Sequence, residues 1–244
     1  MTQSYQSTVL KQKEVCEGIF ELTLEGREVP KPGQFYMVKR DHGDYLLPRP
    51  ISVYDFCEGK LKLLYRVEGK GTKSMARLKE GDTVQLLGPL GNGFDVDQMK
   101  GKVGIVGGGI GIAPLLYLAK KLEPKSVDIY LGYKEQDYCA DSFQANGNKV
   151  TVVTESGKLG FKGFVTDFVK WDQYDTIVTC GPEIMMEKIL RESQGKEVTV
   201  FASLERRMAC GVGACLGCVV KTTTGNQRAC KEGPVFNADH LILD

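Results

Sequence analysis

The sequence predicts a β-barrel, then an α/β domain with a parallel sheet, and then a small cysteine-rich C-terminal domain. Three observations support this fold class. Short strands separated by turns fill the first part of the chain, strands alternate with helices from Gly101 onward, and four closely spaced cysteines lie in the last ~40 residues. The predicted domains span residues 1–98, 99–203 and 204–244.

The first domain shows six strand patterns of alternating or β-branched residues. They cover residues 7–15, 18–24, 34–39, 50–56, 60–67 and 83–87, with one short helix candidate at 73–78. Many short strands without intervening helices are typical of an antiparallel barrel. A six-stranded antiparallel barrel is therefore expected.

The second domain changes character, because apolar strands are now followed by helix patterns. Strands are expected at 103–106, 127–131, 149–153, 176–179 and 198–201, and helices at 114–122, 164–170 and 183–192. Strands separated by helices pair in parallel. The sequence thus predicts a parallel sheet.

The third domain is defined by the spacing C-x4-C-x2-C-x11-C of Cys210, Cys215, Cys218 and Cys230. This is the ligand order of a plant-type [2Fe–2S] centre. The small residues around the first three cysteines let backbone approach a cluster closely, and residues 219–229 are expected to form a hairpin that returns Cys230 to the loop. A zinc site and disulfides remain alternative interpretations. The last ~40 residues are too few to form an independent hydrophobic core, and we therefore expect their fold to depend on the bound cluster.

Composition restricts the class of protein. The chain has 244 residues, with 32 Lys and Arg against 31 Asp and Glu, and its net charge of +1 gives no electrostatic reason to expect nucleic acid as a partner. The N-terminal residues do not resemble a signal peptide, and no apolar run reaches the ~18 residues of a membrane span. We expect a cytoplasmic protein.

Two segments of the second domain have the composition of a dinucleotide site. A glycine-rich turn, GGGIGIAP at residues 107–114, follows an apolar strand and precedes a helix, where backbone can approach a diphosphate. Cys180, Gly181 and Pro182 end a later strand, and strand ends of such sheets converge on one crevice. Glycine turns also occur for purely structural reasons, and Cys180 read alone is as readily a core residue.

The barrel contains a second candidate nucleotide site. Arg49, Pro50, Ile51 and Ser52 lie on one strand, where the guanidinium could hold a diphosphate and the hydroxyl could bond a flavin ring nitrogen. Read alone, Arg49 is more simply a surface cation. Another strand ends in Arg66, Val67 and Glu68, and Gly71 and Thr72 follow at the start of a short helix.

Taken in order, Arg-Pro-x-Ser, Gly-Thr, GGGxGxAP and Cys-Gly-Pro resemble the ferredoxin–NADP reductase superfamily. The segments 202–218 and 230–236 resemble more closely the iron–sulfur electron-transfer subunits of class 1B, NAD-dependent dihydroorotate dehydrogenases. This resemblance extends over the whole chain. It departs from plant-type reductases at Ile51, where those enzymes carry a tyrosine that stacks on the flavin.

The resemblance implies a set of ligands for each cofactor. FAD would contact Arg49, Pro50, Ile51, Ser52, Arg66, Val67, Glu68, Gly71 and Thr72. The substrate NAD would contact Gly107, Gly108, Gly109, Gly111, Ala113, Pro114, Cys180, Gly181 and Pro182. The [2Fe–2S] cluster would be held by Cys210, Cys215, Cys218 and Cys230. Glu135 and Asp137, after the second strand of the sheet, would disfavour a 2′-phosphate.

The resemblance also implies an oxidoreductase of pyrimidine biosynthesis that works with a partner. A separate FMN-containing catalytic subunit would oxidise dihydroorotate to orotate, in a heterotetramer with two copies of each subunit. This chain would then carry electrons to NAD⁺ and contain no catalytic acid or base. Arg206, Arg207 and the rim of the cysteine loop are predicted to form part of the docking surface.

Two other functions remain open. The small subunit of an NADH-dependent ferredoxin:NADP oxidoreductase has the same domains, but that group tends to have aspartate at the position of Cys210. A non-enzymatic redox sensor would need the cluster alone. Such a sensor would leave the glycine-rich turn and the Cys-Gly-Pro segment without a function.

Overall fold

The first part of the chain forms the barrel. The structure, a computed structural model, describes residues 3–41 and 45–242. Six strands close in the order β1-β2-β5-β4-β3-β6, every pair antiparallel. They are β1 (Gln3–Cys16), β2 (Ile19–Glu25), β3 (Phe35–Arg40), β4 (Arg49–Cys57), β5 (Lys60–Arg66) and β6 (Thr83–Leu90). The predicted six-stranded barrel is confirmed. The short helix α1 (Lys70–Met75) begins three residues earlier than expected.

Apolar side chains two residues apart fill the barrel interior. Successive side chains of a strand point to opposite faces, so such pairs share one face. On three strands these pairs are fully buried: Leu22 and Leu24, Leu61 and Leu63, and Val84 and Leu86. The alternating pattern therefore fixes which face of each strand forms the core.

The second part of the chain alternates strands with helices. The strands are β7 (Val103–Gly108), β8 (Val127–Tyr133), β9 (Lys149–Thr154), β10 (Phe161–Lys162), β11 (Thr176–Cys180) and β12 (Thr199–Ser203). The α-helices are α2 (Ala113–Ala119), α3 (Ala140–Gln144) and α4 (Glu183–Ser193). All five predicted strands are present, whereas β10 and α3 were not predicted.

The sheet has the order β10-β9-β8-β7-β11-β12, and all these strands are parallel. β8 and β9 lie one after the other on one side of β7, whereas β11 and β12 lie on its other side. The order therefore reverses between β7 and β11. In open α/β sheets, ligands bind at the carboxyl ends of the strands beside this reversal.

The predicted helix at 164–170 is wrong. The structure has instead two short 3-10 helices, Val165–Phe168 and Trp171–Gln173. This segment is rich in β-branched and aromatic residues, which lose side-chain freedom in an α-helix. Val165 and Val169 are buried against the sheet, so tertiary packing and not helical propensity determines the local conformation.

The C-terminal residues do not form a separate core. β13 (Val219–Thr222) and β14 (Gly225–Arg228) form the expected hairpin, and β15 (Val235–Asn237) pairs antiparallel with β12 as a seventh strand of the large sheet. Cys218, Val220, Ala229, Cys230 and Phe236 share a cluster of buried residues with Phe35, Met37 and Leu90 of the barrel. The cysteine-rich part is thus attached to both preceding parts. The boundaries 1–98, 99–203 and 204–244 stay predictions.

The barrel and the sheet contact each other through β4 and α2. The pairing of β4 with β5 shifts register between Val53 and Asp55. At this irregularity two consecutive side chains, those of Tyr54 and Asp55, both face the α/β part. Tyr54 is buried in the core of that part. The carboxylate of Asp55, 5% exposed, pairs at 2.7 Å with the ammonium of Lys120, directly after α2. Because β4 also carries Arg49 and Ser52, this contact fixes the barrel residues relative to the glycine-rich turn.

We expect Lys120→Met to lower the free energy of unfolding by about 2–4 kcal/mol, because it leaves the Asp55 carboxylate buried without its counter-ion. Urea unfolding of the purified chain measures this. Lys158→Met is the control, since Lys158 forms an exposed pair with Glu135 at 3.4 Å, and such pairs contribute at most about 1 kcal/mol. An equal decrease in the free energy of unfolding in the two variants would show that the Asp55–Lys120 pair stabilises the fold no more than an exposed pair does.

Candidate functional site

A cleft of about 900 Å³ lies between the barrel and the carboxyl end of the sheet. It brings together nine of the predicted cofactor residues: Arg49, Pro50, Ile51, Ser52, Arg66, Glu68, Thr72, Ala113 and Cys180. Residues 203–208, which lead to the first cysteine, line it from a third direction. The other predicted residues are outside this lining, but each lies within three positions of a lining residue: Val67, Gly71, Gly107, Gly108, Gly109, Gly111, Pro114, Gly181 and Pro182.

Arg49 is held on the barrel side of the cleft. Its Nη1 donates to the carbonyl oxygen of Leu47 at 2.8 Å, and its guanidinium lies 5.1 Å from the ring centroid of Tyr45. A Cβ placed on Gly71 would be 2.4 Å from Arg49 Nε. A side chain at this position would displace the Arg49 guanidinium, so the Arg-Pro-x-Ser and Gly-Thr motifs meet in space.

The hydroxyl of Thr72 closes the turn that begins α1. Its Oγ1 accepts hydrogen bonds from the N–H groups of Glu68, at 2.9 Å, and Gly69, at 3.1 Å. Backbone N–H groups at the start of a helix can bind phosphate. Two of them are instead satisfied within the protein, so the direct role of Thr72 is to shape the loop.

The glycine-rich turn and the Cys-Gly-Pro segment are in backbone contact. A Cβ on Gly111 would lie 2.5 Å from both the nitrogen and the Cα of Gly181. The two segments follow β7 and β11, the adjacent strands at the reversal of strand order. Two glycines thus allow two strand ends to form one continuous surface.

Cys180 forms part of the cleft wall as a neutral thiol. Burial raises its pKa far above the ordinary range of a cysteine, and the nearby Glu205 carboxylate raises it further. A thiol of this kind is neither a nucleophile nor a charged ligand. It presents a small uncharged surface next to Ser203.

Glu205 was missed by the sequence analysis. It lines the cleft and is exposed there, yet the protein around its carboxyl raises the pKa of that group by desolvation, while the Arg66 guanidinium opposes the shift. Its position follows from the path of the chain after β12, and nothing in the local sequence could have indicated it.

The four predicted ligands form two pairs of thiols. Cys210 contacts Cys215, and Cys218 contacts Cys230 through their side chains. Two ligands for each of two irons is the donor set of a binuclear cluster. Within residues 3–41 and 45–242, no three His, Cys, Asp or Glu side chains are grouped as ligands of a single metal ion.

Backbone N–H groups point at the sulfur atoms. Val212 and Cys215 each donate to Cys210 Sγ at 3.4 Å, and Gly213 donates to Cys230 Sγ at 3.1 Å. Burial alone would raise the pKa of Cys210, but these donors outweigh it and lower the pKa to about 6. Hydrogen bonds from N–H groups to the thiolate sulfurs stabilise an iron–sulfur cluster and tune its reduction potential. The residues present therefore fit such a cluster.

An ion pair that the sequence analysis missed holds the cysteine loop on the hairpin. Arg228 Nε donates to Glu232 Oε2 at 2.9 Å, and Nη2 forms a second, shorter contact with Oε1 of the same carboxylate. Nη1 donates to the carbonyl oxygen of Gly213 at 3.0 Å. The only signal in the sequence is the Arg-x3-Glu spacing on either side of Cys230.

Apolar side chains are exposed around the cysteine loop. Val212, Leu216 and Val219 are 46%, 62% and 36% exposed. Leu216 also has a positive φ of 58°, which is rare for a residue with a branched side chain. Near them, Arg206 pairs with Glu183 of α4 at 3.4 Å.

A closed flavoprotein-type barrel joined to a parallel sheet, with a cleft between them, defines the class of the ferredoxin–NADP reductase fold. The structure of an NADH-dependent reduced ferredoxin–NADP oxidoreductase matches with a TM-score of 0.85 and 31% identity, covering 97% of this chain and 89% of that one. A ferredoxin reductase in carbazole 1,9a-dioxygenase shares the fold, with a TM-score of 0.68 and 18% identity over 81% of this chain and 67% of that one.

Sequence comparison narrows the class. Residues 205–242 match the iron–sulfur cluster binding domain of dihydroorotate dehydrogenase B. The chain is 47% identical over 230 residues to the electron transfer subunit of dihydroorotate dehydrogenase B (NAD(+)) from Clostridium acetobutylicum, covering 94% of each. It is 43% identical over 237 residues to the corresponding subunit from Clostridium perfringens, covering 96% of each.

The chain belongs to the family of electron transfer subunits of NAD-dependent dihydroorotate dehydrogenase B. It is thus an oxidoreductase subunit of pyrimidine biosynthesis with a fold for flavin and nicotinamide nucleotides and an iron–sulfur binding domain. These parts of the prediction are confirmed. No helix in the described residues is both long and apolar enough to span a membrane.

Proposed function

We propose that this chain binds FAD in the cleft and a [2Fe–2S] cluster on Cys210, Cys215, Cys218 and Cys230. In this proposal it carries electrons from dihydroorotate, oxidised by a separate FMN-containing catalytic subunit, to NAD⁺. A flavin supplies both the two-electron exchange with nicotinamide and the one-electron exchange with an iron–sulfur centre. The chain acts in the cytoplasm, where thiols remain reduced.

One observation carries the proposal: a single cleft is lined both by β4 and by the end of β11. Arg49 holds the flavin diphosphate against the surface that Gly71 leaves open, Ser52 faces the isoalloxazine, and the backbone of 66–68 supports the nucleotide. Gly107, Gly108, Gly109, Gly111, Ala113 and Pro114 bind NAD together with Cys180, Gly181 and Pro182. The neutral Cys180 thiol excludes water beside the nicotinamide without adding charge.

The cysteine loop completes the path for electrons, because it shares buried residues with β3, one strand away from β4 in the barrel. Residues 203–208 connect the cleft directly to Cys210. A cluster on this loop therefore lies between the cleft and the outer surface of the chain. That arrangement suits a carrier between a flavin and a partner protein.

The experiment is anaerobic purification, followed by assay of flavin, iron and sulfide and by titration with NADH. We expect one FAD and about two irons per chain, since a plant-type centre has this composition, and bleaching of both chromophores by NADH. A chain that takes up iron but neither binds nor oxidises NADH would contradict the proposal and favour the redox sensor.

We propose further that the exposed residues Val212, Leu216 and Val219, with Arg206 and Arg207, dock the catalytic subunit. A one-electron carrier must approach its donor closely, and exposed apolar residues around the cluster are what a protein interface buries. Two copies of each subunit would give a heterotetramer.

We expect Leu216→Asn to weaken binding of the catalytic subunit about tenfold, because it removes an apolar contact at an interface centre. Asparagine tolerates a positive φ, so the loop should keep its cluster. Titration calorimetry with the purified catalytic subunit measures the affinity. Leu159→Asn, at a residue 44% exposed beside β10, is the control. Undiminished affinity of the Leu216 variant would place the interface elsewhere. Recovery of a large NADP-linked flavoprotein as the native partner would instead contradict the catalytic subunit as the partner.

A further inference from the structure

Arg66 is the last residue of β5, yet its side chain reaches the glycine-rich turn of the sheet. A Cβ placed on Gly109 would lie 4.0 Å from Arg66 Nη2, so the guanidinium covers the face of this residue. Gly109 has a φ of +53° and lies just after β7, at the reversal of strand order. The side chain thus crosses the cleft from the barrel to the other side.

The Nη groups of the Arg66 guanidinium can donate hydrogen bonds to a ligand. The Arg66 side chain is 47% exposed, and its one ion pair in the described part of the chain joins Nε to Glu68 Oε1 at 3.4 Å. Arg49 differs, because its Nη1 donates to two carbonyl oxygens on the barrel side. The two arginines of the cleft therefore serve different sides of it.

The glycine-rich turn lacks a cation of its own. Residues 107–114 and 180–182 contain no charged side chain, although a dinucleotide bound there carries two negative charges on its diphosphate. The carboxylates of Glu68 and Glu205 lie close to Arg66. Without a cation between them, these acids would repel the diphosphate.

We infer that the Arg66 side chain binds the diphosphate of the nicotinamide dinucleotide and not that of the flavin. This inference rests on the proposed function, in which residues 107–114 bind NAD. Guanidinium groups bind phosphate oxygens through two parallel N–H donors, which the free Nη groups of Arg66 supply. The backbone of residues 66–68 keeps its place beside the flavin.

The test uses the full flavin-loaded protein and ADP-ribose, which has the diphosphate but lacks nicotinamide. For Arg66→Gln we expect the Kd for ADP-ribose to rise about 10- to 100-fold, the range of a lost charge-assisted hydrogen bond, with flavin content unchanged. For Glu68→Gln we expect a Kd about two- to threefold lower, because one repulsive carboxylate is removed. Arg27→Gln, at a residue whose guanidinium lies over the Tyr5 ring, should bind ADP-ribose like the wild type.

Arg66→Lys keeps the charge but not the pair of donors, so its Kd should fall between those of the wild type and Arg66→Gln. An Arg66→Gln protein with full flavin and unchanged affinity for ADP-ribose would overturn the inference. So would loss of flavin in Arg66→Gln together with wild-type affinity of Arg66→Lys for ADP-ribose. A wild-type protein that takes up flavin but binds neither ADP-ribose nor NAD⁺ would instead contradict the proposed function itself.

Discussion

Cys230→Ala is expected to lose the iron–sulfur cluster and with it electron transfer from the catalytic subunit. Cys230 is 2% exposed and forms the buried thiol pair with Cys218. Its sulfur accepts a hydrogen bond from the N–H of Gly213. No other cysteine replaces it, because Cys16 and Cys57 belong to the barrel, Cys180 to the sheet, and Cys139 lies directly before α3. Iron and sulfide should fall below about a tenth of the wild-type content, since each ligand is needed for a closed cluster.

The flavin supplies an internal control for this variant. The barrel and sheet form the cleft without Cys230, so reduction by NADH and reoxidation by a small artificial acceptor should persist. Unfolding should begin at a lower temperature, because a structural metal site contributes to folding. Cys57→Ala, at an exposed cysteine at the end of β4, should retain iron and stability. A full complement of iron in Cys230→Ala would show that the ligand set is wrong.

Gly111→Ala is expected to weaken NADH binding by at least about tenfold and to lower the free energy of unfolding by about 1–3 kcal/mol, as overpacking does. A Cβ at Gly111 would lie 2.5 Å from backbone atoms of Gly181. Backbone cannot rotate away as a flexible side chain can, so the two strand ends must move apart. Flavin content should be unchanged, because the flavin residues lie on the barrel.

A graded series tests the steric explanation. Gly111→Val should bind NADH more weakly than Gly111→Ala, since its side chain extends further into the same backbone. Calorimetry with NAD⁺ and urea unfolding measure the two effects separately. If Gly111→Ala bound NAD⁺ like the wild type, the contact between the two segments would not shape the site.

Much of the fold was predictable because its signals are local. Alternation between residues two apart marks the barrel strands and short apolar runs mark the sheet strands, which is why the six barrel strands and five sheet strands were found at nearly the observed positions. The cysteine spacing is equally local, since three of the ligands lie within nine residues of each other. The helix expected at 164–170 failed for the opposite reason. Burial of Val165 and Val169 against the sheet, a long-range effect, determined its conformation.

The candidate site was predictable only in part. The residues of each motif were found, but not how they meet: Arg49 against Gly71, Gly111 against Gly181 and Arg66 over Gly109. Glu205 and the Arg228–Glu232 pair were missed, because an acidic or basic residue in a loop has no local pattern that separates a ligand from a surface charge.

Local patterns in the sequence are sufficient to predict the barrel ahead of the sheet, the position of most strands and the cysteine spacing that indicates an iron–sulfur binding region. All of these depend on the spacing of residues close together in the chain, which backbone geometry converts directly into a face or a loop. Long-range packing, in contrast, determines that β15 completes the sheet, that Tyr54 and Asp55 join the barrel to the α/β part, and that one cleft is lined by residues from Phe35 to Pro234. These contacts join residues tens to more than a hundred positions apart, and their geometry depends on how whole elements pack.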